Sequence, residues 1–369
     1  MSSETRRDSV RNDGALARPA RYNTFLNMQT LRLCANDDSI RYAARIIRAG
    51  GLVAFPTETV YGLGGNAFDA AAVAKIFAAK ERPAWDPLIV HVSSREMLEA
   101  LVAQVPAEFD NLFAAFMPGP LTLVVPKKNT VPNVVSAGRE TVAVRFPANP
   151  VAQCLIAESG LPIAAPSANR FGRVSPTAAE HVLVDLDGRI DAILDGGPCK
   201  IGVESTVLDL SGAAPVILRQ GAVTPRDLRK ILGEVAVADP GVPFRPQRGL
   251  PSPGMMPRHY APRTKLLLTD GEERALAGAI QAWAKQKVGA LVPSGWSICA
   301  ATRFDWGSWG DWAVLASRLY AGLRWLDEQK LDFIVAPLPG EEGLGGAIRE
   351  RLLKASDGAM CPPLGGRRG

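Results

Sequence analysis

The sequence is poor in the residues that build metal and redox centres, with three histidines and five cysteines among 369 residues. The cysteines, Cys34, Cys154, Cys199, Cys299 and Cys361, lie far apart and are odd in number. That spacing suits neither a disulfide framework nor a zinc knuckle, and it fits a reducing cytoplasm. No protein-held metal centre is expected. No run of about 18 apolar residues occurs, which argues against a membrane span. Aromatic residues make up 7% of the chain, with no RRM, KH or RGG pattern among them. A Ser/His/Asp order and a GxxxxGK[ST] loop are also missing, which disfavours hydrolase and P-loop chemistry.

What remains is an ordinary globular composition, 47% hydrophobic and 21% charged. The net charge of +5 favours anionic partners, and a nucleotide would satisfy it as well as a nucleic acid. The length predicts two folded units. Residues 1–30, rich in Arg, Ser and Asn without an apolar core segment, read as a flexible tail, with Met28 an alternative start.

Ile40, Ala43, Ala44 and Ile47 recur at helical spacing over Asp37–Arg48, with Asp37 or Asp38 as N-cap and Gly50-Gly51 as the stop. Leu52–Phe55 reads as a buried strand, Pro56–Gly65 as a glycine-rich loop, and Ala71–Lys80 as a helix capped by Asp69. Apolar runs at 88–92, 121–125, 141–146, 162–165, 192–194, 206–210 and 216–218 predict further strands between helical stretches, and hence an α/β fold. From about Val235 to Pro262 proline and glycine recur too densely for helix or central strand, so a linker is placed at 235–262. Beyond it, strands at 265–268, 289–292 and 333–336 alternate with helices at 272–286, 309–329 and 344–355, the rhythm of a small doubly wound α/β domain over 263–369.

Chemistry-bearing residues cluster at element ends. Pro56–Gly64 concentrates hydroxyls, a carboxylate and glycines where ligands of α/β sheets bind. Lys80 and Arg82, a point charge and a fork, suit triphosphate recognition or simply complement a helix C-terminus. Arg145 interrupts an apolar run, so it needs an anionic partner, either an internal carboxylate or a substrate carboxylate. Ser175 has an alternative reading as the N-cap of the following helix, His91 as a partly buried structural histidine, and Arg219 as a surface residue.

In order along the chain, PTETVYGLG, KERPAWDPLIVHV, PGPLTLVVP, TVAVRFP, APSANRFGRVSPT, ESTVLDL, LRQGAV and SPGMMPRHYAP resemble the YrdC-like domain of threonylcarbamoyl-AMP synthases. The eighth segment resembles the interdomain linker of the long, two-domain form, and GLGGAIRERL resembles its second domain. The resemblance implies a YrdC-like twisted mixed sheet with helices around a concave active site over 31–234, and a linker that acts as a lid.

The implied reaction joins L-threonine, bicarbonate and ATP into threonylcarbamoyl-adenylate and pyrophosphate. Other proteins would then transfer the threonylcarbamoyl group to the adenosine beside the tRNA anticodon, and tRNA itself is a further candidate partner. By motif, Thr59, His91, Arg145, Ala165 and Ser205 are the implied threonine set, with Ala165 able to contribute only its backbone. Arg82, Asp86, Thr141, Ser167, Asn169, Ser175, Arg219 and Tyr260 are the implied ATP set, and Lys80 and Arg82 the implied catalytic cations. Asp86 stands where a neutral residue such as Asn is usual, so its charge beside a triphosphate needs Mg2+ or Lys80 to offset it. Two rivals are a non-catalytic RNA-binding YrdC-like module and a carbamoyl-transfer enzyme of hydrogenase maturation. The latter's zinc-finger and acylphosphatase-like regions are missing from this sequence.

Overall fold

A computed structural model of the chain describes residues 29–238 and 250–362. Residues 1–28 of the expected tail 1–30 and the linker stretch 239–249 lie outside the described residues. Thr30, at the tail's expected end, is 6% exposed and donates to Ile190 O at 2.9 Å, so the folded part begins earlier than expected.

The strands are β1 (Leu31–Cys34), β2 (Val53–Phe55), β3 (Gly62–Asn66), β4 (Ile89–His91), β5 (Leu121–Pro126), β6 (Thr141–Arg145), β7 (Ile163–Ala164), β8 (Ala192–Asp195), β9 (Thr206–Asp209), β10 (Val216–Arg219), β11 (Ala236–Val237), β12 (Lys265–Thr269), β13 (Val288–Ser294), β14 (Thr302–Ser308) and β15 (Phe333–Pro337). The first eleven form one mixed sheet in the order β1-β8-β2-β3-β7-β4-β6-β5-β9-β10-β11. The last four form a parallel sheet in the order β12-β15-β13-β14. This is the expected α/β class, a large mixed sheet with helices and a second, small parallel-sheet unit.

The helix Asp37–Arg48 buries Ile40, Ala43, Ala44 and Ile47 as its periodicity predicts. Its N-cap is Asn36, whose side chain accepts from Ser39 N at 3.0 Å, while Asp37 and Asp38 complement the dipole in the first turn. The helix Ala70–Lys80 starts at Asp69 as expected. Three strands were invisible to an apolar-run criterion: β1, β14 and the two-residue β11, which pairs with β10 inside the expected linker 235–262. β1 pairs with β8 in the described structure, and β14 with β13, where exposed Arg303 and Asp305 alternate with half-buried Thr302 and Phe304 and buried Trp306 at a sheet edge.

The expected loop 56–65 is shorter, because its glycines enter β3 against β2 with Val53 opposite Gly64. A Cβ on Gly64 would stand 2.7 Å from both Phe55 Cε1 and Ile163 Cγ2. Glycine lets this strand lie under the Phe55 ring, so the residues that looked like turn-formers serve close packing.

The two sheets share packing. Val60, Val174 and Val203 from the large-sheet unit sit in one apolar cluster with Leu315, Leu319 and Leu352 from the small one. At Gly202 the backbones approach so closely that a Cβ would meet Ala316 O at 2.5 Å. Against this joint, residues 250–260 run back across the ends of β9 and β10, tied by Leu250 N to Trp85 O at 3.0 Å and by His259 N to Lys354 O at 3.2 Å.

Candidate active site

Pro56–Tyr61 leaves the end of β2 as a tight turn. Thr57 Oγ1 donates to Val60 O at 2.6 Å and accepts from the backbone N–H groups of Thr59 and Val60. A threonine hydroxyl thus mimics a backbone turn and aims Thr59 inward. β4 and β6 run parallel with His91 beside Arg145 in register, which brings an imidazole and a guanidinium to the same sheet end. Ser205 precedes β9, and Arg219 closes β10.

These elements wall a cavity of about 50 Å³ with Thr59, Arg82, His91, Arg145, Ala165, Ser167, Ser205, Arg219 and Tyr260. Nine of the residues singled out from sequence therefore meet. Thr57, Glu204, Pro253, Gly254 and His259 also face this space and were not singled out. Three arginines against one carboxylate give the cavity an anion-attracting field.

Arg145, 4% exposed, donates from Nη2 to Glu58 Oε1 at 2.6 Å and from Nη1 to Thr59 Oγ1 at 2.9 Å. Its anionic partner in this structure is internal, Glu58, which also accepts from Ala148 N at 3.1 Å. Ser205 Oγ lies 2.8 Å from Thr122 Oγ1 and accepts from Arg219 Nη2 at 3.1 Å. Thr122 is fully buried on β5, inside an apolar strand pattern that hid it. Arg219 is 5% exposed, so it is a buried wall residue rather than a surface one. Burial and the neighbouring Arg145 push His91 down to about 3, which keeps its imidazole neutral. Its Nδ1 is buried with no hydrogen-bond partner among the described residues. The N–H of Ala165 is committed to Ile89 O at 2.8 Å, so what Ala165 can offer a ligand is its carbonyl.

Five other singled-out residues lie off the cavity wall. Lys80, 1% exposed, donates to Ser167 O at 2.5 Å and to Asn169 O. Burial, helped by Arg82, holds its pKa well below the usual lysine value. Asn169 donates from Nδ2 to Arg170 O and Arg173 O at 2.8 and 2.9 Å, bracing the loop. Asp86 is fully buried with Oδ1 2.9 Å from Arg82 Nη2, an ion pair not aligned as a hydrogen bond. Burial raises its pKa despite Arg82 and Lys80. Thr141 is half-buried at the opposite end of β6 from Arg145. Ser175 is not an N-cap: the helix Ala179–Leu186 starts after Ala178 without a side-chain cap, and Ser175 Oγ donates to Glu204 Oε1 at 2.6 Å.

Tyr260 closes the cavity. It adopts φ +61° and is 1% exposed, and its ring lies 5.9 Å from that of Tyr320 in a stacked arrangement. Its hydroxyl is buried with no partner among the described residues. Glu204 is the informative omission. Burial raises its pKa, but Arg351 and Arg219 outweigh this and hold it down to about 2. Its partner Arg351 is 147 residues away, beyond the reach of any local pattern.

Comparisons with known proteins identify the family. A family described as telomere recombination matches residues 45–221, and the threonylcarbamoyl-AMP synthase C-terminal domain matches residues 223–357. The threonylcarbamoyl-AMP synthase of Bacillus subtilis is 44% identical over 336 residues, covering 90% of this chain and 96% of the relative. That of Pyrococcus abyssi is 46% identical over 323 residues, covering 86% and 94%. A solved structure of Pyrococcus abyssi Sua5 complexed with L-threonine superposes with a TM-score of 0.84 at 43% identity, covering 91% of this chain and 99% of that one. With both sheets matched over nearly the whole length of such relatives, the chain belongs to the threonylcarbamoyl-AMP synthase family in its two-domain form.

Proposed function

We propose that the cavity joins L-threonine, bicarbonate and ATP as a nucleotidyltransferase, releasing threonylcarbamoyl-AMP, pyrophosphate and water. The observation that carries this reading is that Arg145, Thr59, His91 and Ser205 share one wall with Arg82, Arg219, Ser167 and Tyr260. An amino-acid carboxylate and a triphosphate both need cations, and no covalent nucleophile is required.

In this reading the threonine amine attacks the bicarbonate carbon, forming the N–C bond as water leaves. A carbamate oxygen then attacks the α-phosphorus and the bond to the β-phosphate oxygen breaks, so pyrophosphate carries away the electron pair. The residues work by positioning and by neutralising charge. Arg145 and Thr59 receive the amino acid, and neutral His91 offers a hydrogen bond without adding charge. Ser167 and Tyr260 orient the nucleotide from the wall, and Ser175 and Thr141, off the wall of the closed cavity, join them once the covering segment opens. Arg82 and Arg219 face the phosphates, with Lys80 and Asn169 shaping the loop beside them and Asp86 locking Arg82.

Glu58, Asp86 and Glu204 each lie against an arginine, a donor set that does not fit a resident metal. Among the described residues no group of three or more His, Cys, Asp or Glu is placed to hold one. Magnesium is therefore assigned to the substrate, arriving with the triphosphate.

A nucleotide pocket usually encloses about 300 Å³ or more, and the cavity here is about 50 Å³. ATP entry therefore requires the covering segment at Pro253, Gly254, His259 and Tyr260 to open and then to close again over the bound nucleotide. We assign that segment the role of a lid that excludes water from the carbamate and the adenylate. A cytoplasmic setting, and downstream proteins that transfer the threonylcarbamoyl group to tRNA, complete the proposal. No helix among the described residues is long and apolar enough to cross a membrane.

The test is pyrophosphate release with MgATP and bicarbonate, with L-threonine present or replaced by L-serine. Threonine-dependent release, with threonylcarbamoyl-AMP detected by mass spectrometry, supports the assignment. Release indifferent to the amino acid, or none from folded protein that binds ATP, sinks it.

A further inference from the structure

The helix Leu344–Ser356 of the small unit grips the covering segment and the cavity wall at once. Arg351, 1% exposed, donates from Nε to Glu204 Oε2 at 2.8 Å and from Nη2 to Gln220 O at 2.9 Å. Its guanidinium also lies 5.1 Å from the centre of the Tyr260 ring. Three residues on, Lys354 Nζ donates to Gly254 O at 2.7 Å. Tyr320, on the helix Trp312–Asp327, adds its hydroxyl to Glu204 Oε2 at 2.9 Å. Glu204 therefore holds two donors from the small unit, while its other oxygen takes the Ser175 hydroxyl.

A buried ion pair is a weak source of stability, because desolvating both groups offsets their attraction and apolar packing of similar volume often does as well. What such a pair supplies is a defined geometry. Here that geometry joins Ser175, the residue before Ser205, and Tyr260 to a single rigid helix.

We propose that Arg351 and Tyr320 are positioning residues of the synthase. Acting through Glu204, they hold the Ser175 hydroxyl and the approach to Ser205 in place, and Arg351 seats Tyr260. The small unit thereby completes the nucleotide side of a site whose walls belong to the large sheet. This rests on the reading of Ser175 and Tyr260 as nucleotide contacts.

The test is a cycle of Glu204→Gln, Arg351→Met and the double variant in the full chain, with Tyr320→Phe alongside. The readouts are thermal unfolding, kcat and KM for ATP in threonine-dependent pyrophosphate release, and calorimetric binding of α,β-methylene-ATP. Arg351→Met is expected to unfold at lower temperature, since it leaves Glu204 buried without its cation, and Glu204→Gln by a smaller margin, since Arg351 keeps Glu350 at 3.2 Å. Each should lose about tenfold or more in kcat/KM for ATP. The double variant should regain most of the unfolding temperature without regaining kcat/KM. Tyr320→Phe should stay close to the parent in unfolding and raise KM for ATP about threefold or more.

A double variant with parental kcat/KM would overturn the proposal and leave the pair a structural joint. Should the double variant not fold, parental kinetics in Tyr320→Phe would overturn it equally. Should the parent bind α,β-methylene-ATP yet show no threonine-dependent turnover, the reaction reading falls by itself. The proposal then stands or falls on whether the variants bind that analogue more weakly or equally well.

Discussion

Glu58 Oε1 lies 2.6 Å from Arg145 Nη2, with both side chains buried. The guanidinium that faces the cavity therefore arrives already oriented by a carboxylate, one edge fixed by Glu58 and Thr59. A fork held this way is preorganised, so little ordering entropy remains to be lost when a substrate carboxylate approaches.

Replacing Arg145 with alanine removes the cation and leaves Glu58 buried without its partner. Threonine-dependent turnover should fall about a hundredfold or more, as for loss of a charge-assisted contact worth about 3 kcal/mol. ATP affinity should stay within about threefold. Steady-state kinetics in threonine, with calorimetric ATP binding, separates the two. Equal collapse of both would show that the amino-acid and nucleotide subsites are not divided as drawn.

Gly254 has φ +80°, and a Cβ there would stand 2.5 Å from the Tyr260 hydroxyl. Gly254→Ala should displace Tyr260 and strain the backbone, at a cost of about 1–3 kcal/mol to the closed state. The expected outcome is a kcat about tenfold lower with an intact fold, and faster proteolysis between residues 250 and 260. An alanine variant with parental kcat would remove Tyr260 from the closing role.

All three histidines of the chain are poorly accessible, and their pKa values are depressed mainly by burial: His91 to about 3, His181 to about 4 and His259 to about 3. Between the ordinary histidine value of about 6.5 and these values the unfolded chain binds protons that the folded chain refuses, so stability falls as pH drops through that window. Glu204 works in the same direction lower down. Its folded value of about 2 lies below the unfolded value, so its contribution is present above about pH 4.5 and is lost as pH falls toward 2. Urea unfolding at pH 7.5, 6 and 5 should show a steady loss of stability, and His181→Gln should flatten the slope. A pH-independent midpoint over that range would contradict the burial of these groups.

Gly64→Ala tests the packing of β3. Its Cβ would press on Phe55 and Ile163, and overpacking of this kind costs about 1–3 kcal/mol. A lowered urea midpoint with unchanged KM for threonine is the expected result. Unchanged stability would mean that the Phe55 ring moves freely.

The helices with the clearest periodicity were legible, as Asp37–Arg48 shows, because a buried stripe at helical spacing is a local property of the sequence. β1 and β14 were not, since each has a single neighbour in its sheet and needs no continuous apolar run. Among the site residues, Thr59, Arg145 and Ser205 stand in recognisable segments and do converge. Asp86 and Lys80 carry equally visible charges, yet the fold uses them behind the wall, against Arg82 and against the Ser167 and Asn169 carbonyls. Whether a charge faces a ligand or braces a neighbour depends on the side of the loop it occupies, which spacing does not encode.

By itself, the sequence determined the α/β class, the helices and strands with strong apolar patterns and the set of loops that gather hydroxyls and arginines, because these follow from short-range pattern and strand-end geometry. Only the tertiary structure decided that Glu204 meets Arg351, that Glu58 holds Arg145, and that Tyr260 stacks on Tyr320. Those relationships join residues as much as 147 positions apart, and a buried charge is paired by whatever packing brings beside it.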